Sequence, residues 1–113
     1  MKLDHVQVVA PPGCEAQARW FYGELLGLAE VEKPEALRGR GGVWFGSLHV
    51  GVEADFTPAR TAHPALRVAP AELDGFADRL AAAGAAVEWN EEIPGVRRFF
   101  TFDPWGNRVE LLA

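Results

Sequence analysis

The strongest constraint on this chain is that it runs through one order of elements twice. Val9-Ala10-Pro11 returns as Val68-Ala69-Pro70, 59 residues later, and His5 returns as His63, 58 residues later. A period of that length makes each copy one supersecondary unit. Each copy reads strand, helix, strand, strand, strand, which leaves one face of its sheet uncovered by its own helix. The predicted fold class is α+β. Two βαβββ modules bring their uncovered faces together in a cupped, barrel-like mixed β-sheet flanked by helices, within the chain or across a dimer. The 113 residues are read as one domain. Module 1 spans about 1–55, a linker 54–61 and module 2 about 62–113.

The elements follow from periodicity and punctuation. Leu3 to Val9 is rich in β-branched residues and ends at Pro11-Pro12-Gly13, a strand followed by a turn. Ala18, Phe21, Tyr22, Leu25 and Leu26 recur at the spacing of one helical face, and Gly27 is placed to end that helix. A short strand is expected over 29–33, a mobile loop over 34–42, and a hairpin of 43–45 with 48–53 around Gly46-Ser47. In the second copy, strands are expected over 63–68, 86–89, 97–102 and 108–112. Leu73, Phe76, Ala77 and Leu80 mark its helix, closed by Gly84. A loop covers 90–95, and Asp103-Pro104-Trp105-Gly106-Asn107 makes a tight turn.

Composition excludes several classes of function. Net charge is −5 and the basic residues are scattered, so the clustered cationic face of a nucleic-acid-binding protein is missing. No apolar run is long enough to span a bilayer, and the N-terminal MKLDHVQVVA lacks the apolar core of a secretory signal. The expected location is the cytoplasm. Cys14 is the only cysteine, so no intrachain disulfide can form, and it is expected to be an inert or partly exposed thiol. Gly39, Gly41 and Gly42 match no phosphate-binding loop, and Ser47 has no nucleophile-elbow context.

The residues able to carry chemistry fall at repeat-related places. His5 and His63 stand in the predicted first strands of the two modules. His49 stands in the last strand of module 1, and Glu110 in the last strand of module 2. Imidazoles with a carboxylate suit a divalent first-row metal, here Fe, Zn, Ni or Mn. A metal-free cup, with the histidines packed and hydrogen-bonded, is the alternative. Period-2 alternation puts Phe100 and Phe102 on one strand face. Trp44 and Phe100 are candidates to line a pocket for a flat or apolar ligand, with core packing as the other role. Arg97 and Arg98 point to opposite faces; Arg98 is the candidate to meet an anionic substrate group.

Leu3-Asp4-His5-Val6, Trp20-Phe21-Tyr22-Gly23-Glu24-Leu25-Leu26-Gly27-Leu28, Ala62-His63-Pro64-Ala65-Leu66-Arg67-Val68 and Asp103-Pro104-Trp105-Gly106-Asn107-Arg108-Val109-Glu110-Leu111 together carry a resemblance. Over nearly its whole length the chain resembles the vicinal oxygen chelate superfamily, which includes glyoxalase I, extradiol dioxygenases, and fosfomycin and bleomycin resistance proteins. The resemblance implies that His5, His63 and Glu110 are metal ligands. Where glyoxalase I typically has a glutamate that shares in proton transfer, this chain has His49, implied to be a fourth ligand or a base. The implied function is that of a small metal-dependent lyase, isomerase or dioxygenase acting on a small substrate with vicinal oxygens. The alternative is a metal-free, bleomycin-resistance-like binding protein. A homodimer is implied as well, two-fold pairing being the commonest oligomer.

Overall fold

Alternating burial along Val6–Ala10, with Val8 and Ala10 buried and Gln7 and Val9 more exposed, marks a strand with one face on a core. The computed structural model describes all 113 residues, Met1–Ala113, and the fold is α+β. The chain forms two compact units, Met1–Pro58 and Ala59–Ala113.

In the first unit, β1 (Val6–Ala10), β2 (Val43–Phe45) and β3 (Leu48–Val52) form a sheet in the order β1-β3-β2. β1 runs parallel to β3, and β2 is antiparallel to it. Gly46, with a positive φ of 63°, turns the β2–β3 hairpin. Gly42 lets β2 approach β3: its φ is +83°, and a Cβ there would stand 2.1 Å from the Val50 carbonyl oxygen. Helix α1 (Glu15–Ala18) makes one α-turn and continues as a π-helical segment over Arg19–Leu25. The wider winding shows in the Leu26 N–H, which donates to the carbonyl of Phe21, five residues back, at 3.0 Å. Phe21, Tyr22, Leu25 and Leu26 are all buried, and the Tyr22 ring meets Phe45 at 5.9 Å. Each such side chain stabilises the unit by about 1.5–3 kcal/mol relative to exposure.

In the second unit, β4 (Ala65–Arg67), β5 (Glu88–Asn90), β6 (Arg98–Phe102) and β7 (Arg108–Leu112) take the order β4-β7-β6-β5. β4 is parallel to β7, repeating the β1–β3 relation. Helix α2 (Leu73–Ala82) is led in by a 3-10 turn at Pro70–Glu72 and buries Leu73, Ala77 and Leu80, packing on β6. Gly84, at φ 87°, ends it. The Asp103–Asn107 turn is held by the Asp103 carboxylate, which accepts from the Trp105 and Asn107 N–H groups and the Asn107 side-chain amide. No helix is long and apolar enough to cross a membrane.

Several expected boundaries move, each for a local reason. The first strand begins at Val6, because only from there does β3 offer partners, with Val6 opposite Leu48. The strand expected over 29–33 shrinks to a single antiparallel bridge between Val31 and Trp44. The segment expected to be a loop over 34–42 winds as a 3-10 helix over Glu35–Arg40. The strand expected over 86–89 forms two residues later, as β5, where β6 pairs with it. Cys14, expected to be an inert or partly exposed thiol, is buried, 2% exposed.

Candidate functional site

Register explains how the repeat distributes its polar residues. In the first unit, Gln7, His49 and Trp44 lie abreast across β1, β3 and β2. In the second, Ala65, Glu110, Phe100 and Glu88 lie abreast across β4, β7, β6 and β5. His49 and Glu110 therefore hold equivalent places. His5 stands two residues before Gln7, and His63 two before Ala65, so they are equivalent as well. Both precede their strands rather than lying in them as expected, which leaves their side chains free of the ladder's pleat.

The first unit gathers rings. The His5 imidazole stacks on His49 with centroids 4.2 Å apart, and His49 stacks on the Trp44 indole at 3.9 Å, the planes 5° apart. His49 Nε2 lies 3.1 Å from the Gly46 carbonyl oxygen, which can only accept. The neutral His49 ring therefore carries its proton on Nε2 and its lone pair on Nδ1. His5 Nδ1 lies 2.8 Å from Asp4 Oδ2, so it donates there and leaves the lone pair on Nε2. Burial, followed by the nearby His5 charge, holds the His49 pKa below its ordinary value. Trp44 also lines two cavities of this unit. One, of about 360 Å³, is walled by charged residues including Glu15, Arg19, Glu30 and Lys33. The other, of about 240 Å³, is lined by Gln7, Arg40 and Gly51.

The second unit gathers charges. His63 Nδ1 is 2.6 Å from the Thr61 carbonyl oxygen, and His63 Nε2 is 3.0 Å from Glu110 Oε2. Glu110 Oε1 accepts from Arg98 Nη1 at 3.1 Å, while Arg98 Nε and Nη2 donate to Asn90 Oδ1. Arg98 and Glu110 side chains are 13% and 8% exposed, so this pair is strongly shielded from water. The guanidinium expected to meet a substrate is thus already engaged. Phe100 is buried, with His63 edge-on to its ring at 5.3 Å. Arg97 faces outward and pairs with Asp74 at 2.9 Å.

The fit of a metal can be tested on His63. Its Nδ1 must carry a proton, since Thr61 offers only an acceptor. In a neutral ring Nε2 then presents a lone pair to a carboxylate oxygen 3.0 Å away. Two acceptors so placed need a cation between them, a proton or a metal. Two donors bound at about 2.1 Å and at right angles to one ion also stand about 3 Å apart. The pair fits a metal. Side chains of metal-ligating type stand in pairs here, His63 with Glu110 and His5 with His49; no group of three converges. Sequence reasoning missed Asn90 and Arg108, whose guanidinium lies 3.7 Å over the Phe100 ring. Period-2 alternation from Glu110 along β7 was the signal that points to Arg108.

Neither protein-family models nor curated proteins match this chain. Solved structures do. A glyoxalase family protein from Bacillus anthracis is 46% identical, with a TM-score of 0.91, over 99% of this chain and 93% of that one. A glyoxalase/dioxygenase from Nostoc punctiforme, 21% identical with a TM-score of 0.77, aligns over 98% of this chain and 89% of its own. A lactoylglutathione lyase from Agrobacterium tumefaciens, 22% identical with a TM-score of 0.72, aligns over 98% and 92%. These last two share the fold.

Proposed function

We propose that this chain, which belongs to the glyoxalase family of the vicinal oxygen chelate superfamily, is a small metal-dependent enzyme acting on a small substrate with vicinal oxygens. The observation that supports this most is the approach of His63 Nε2 to Glu110 Oε2, two acceptors placed as ligands of one cation would be. In this reading His63 and Glu110 are ligands of a divalent ion, Fe, Zn, Ni or Mn. Such an ion, when bound, polarises adjacent substrate oxygens as a Lewis acid.

The chain's own groups do the rest. The Thr61 carbonyl and the Asp4 carboxylate each hold an Nδ1 proton, which leaves Nε2 as the lone-pair nitrogen of His63, facing Glu110, and of His5. Arg98 holds the second oxygen of Glu110 and fixes the plane of the carboxylate. His49 is the base. Its depressed pKa keeps the ring neutral near pH 7, and Nδ1 has the lone pair that accepts a proton. Trp44, half-buried and lining both cavities of the first unit, supplies apolar surface to a flat substrate, whereas the buried Phe100 ring is covered by Arg108. The protein works as a homodimer, which light scattering at micromolar concentration tests.

A metal-free binding protein is the second reading. Arg98 favours it, because a guanidinium on Glu110 compensates that charge without any ion. Thermal melting with Fe(II), Zn(II), Ni(II) and Mn(II) separates the two. An ion that binds only the folded chain stabilises it by about 2.7 kcal/mol at a hundredfold excess over Kd. The enzyme reading expects such a shift in wild type and its loss in His63→Ala. A chain that melts identically with all four ions, and shifts with an aromatic small molecule instead, is a binding protein.

A further inference from the structure

Among the arginines of the second unit, Arg97 is paired with Asp74, and Arg98 with Glu110 and Asn90. Arg108 has no carboxylate within ion-pair reach. It is half-buried, and its guanidinium carbon lies over the Phe100 ring, 3.7 Å from the ring centre. Two residues along the same strand stands Glu110, and the residues between and beyond, Val109 and Leu111, are the ones turned into the core. Arg108 and Glu110 therefore share the other face of β7, about 7 Å apart along the strand.

Stacking on Phe100 takes up the face of the guanidinium and leaves its edge, where the N–H donors lie. That edge matches both oxygens of a carboxylate. A cation drawn partly out of water, held in one plane and left without a counter-charge is built to receive an anion. Its distance from Glu110 is that across one small molecule.

We propose that Arg108 is the carboxylate-binding residue of the site, so that the substrate is a small organic acid carrying its vicinal oxygens and a carboxylate at opposite ends. Monoanions are favoured, because one unpaired guanidinium meets one charge while the Glu110 carboxylate repels a second. The inference rests on the chelating role of His63 and Glu110, and the test keeps the two separable.

The probes are 3,4-dihydroxybenzoate and 3,4-dihydroxybenzamide, which share the vicinal oxygens and the shape and differ by one charge. Their Kd values are measured by calorimetry on the full chain loaded with Mn(II), without oxygen. Wild type should bind the acid about tenfold tighter than the amide, as a charge-assisted fork requires. Arg108→Gln should erase that preference and leave the amide's Kd within about twofold. Arg108→Lys, which keeps the charge and loses the fork, should retain part of the preference, and it carries the test where the glutamine variant fails to fold. Equal binding of acid and amide to wild type, or a preference that survives in Arg108→Gln or is undiminished in Arg108→Lys, overturns the inference and leaves the chelating site standing. Failure of both probes to bind overturns the chelating site, and the inference with it.

Discussion

The two halves of this chain solve one structural problem with different chemistry. At equivalent places the first unit puts His49 and the second puts Glu110. Around His49 the neighbours are rings, His5 on one side and Trp44 on the other. Around Glu110 they are charges and hydrogen bonds, from Arg98 through Glu110 to His63 and the Thr61 carbonyl. A stack of rings tolerates loss of one member, since apolar surface can partly close over the gap. A shielded charge chain does not, because removing one member strands another. A duplicated scaffold can thus keep one half adaptable and the other committed.

The largest effect expected is on chemistry in the first unit. His49→Ala should lower turnover by about 10²–10⁴-fold, as loss of a base does, while the melting temperature changes little. Steady-state kinetics beside a thermal melt checks this. A turnover that survives would place His49 among structural residues and break the contrast. Next comes stability in the second unit. Arg98→Met leaves Glu110 with one partner in a shielded place, at a cost of about 3 kcal/mol by denaturant titration. A loss below about 1 kcal/mol would show that the charge chain is as forgiving as the stack.

The smallest effect concerns acid. In the first unit Arg19 holds Glu30 bidentately, at 2.9 and 3.0 Å, and this hydrogen bonding keeps the Glu30 pKa below its ordinary value. A depressed carboxylate contributes stability that is complete above the unfolded-state pKa, near 4.3, and is lost as pH falls through the folded value. Both side chains are about half exposed, so the contribution is only a few tenths of a kcal/mol. Arg19→Gln should remove that part of the acid dependence below about pH 4.5, read as a flatter stability curve than wild type. An unchanged curve would show the exposed pair contributes nothing.

Much of this was legible in the sequence because it depends on period and punctuation. The two-unit order, the β2–β3 hairpin, β7 and both helix-ending glycines follow from alternation and from Gly27 and Gly84. What was hidden depends on partners. Whether 29–33 pairs as a strand is decided by neighbours that meet it only at Val31. The π-helical winding of Arg19–Leu25 was invisible because its buried residues also fit an α-helical face. His5, His49, His63 and Glu110 were singled out by repeat position, but sequence could not show that His49 lies between two rings or that Arg98 is held by Glu110. Those facts live in side-chain geometry, which no spacing rule encodes.

Cys14 gives the molecule a clock. It is the chain's single thiol, it sits at the start of α1 with 2% of its surface exposed, and burial, followed by the adjacent Glu15 charge, holds its pKa above the ordinary value. A reagent that attacks thiolates meets it only when the first unit opens, and then meets it in an ordinary, more reactive state. The second unit has no thiol at all, so its openings leave no mark. The rate of modification therefore times the breathing of one half of a two-part protein, without an added probe.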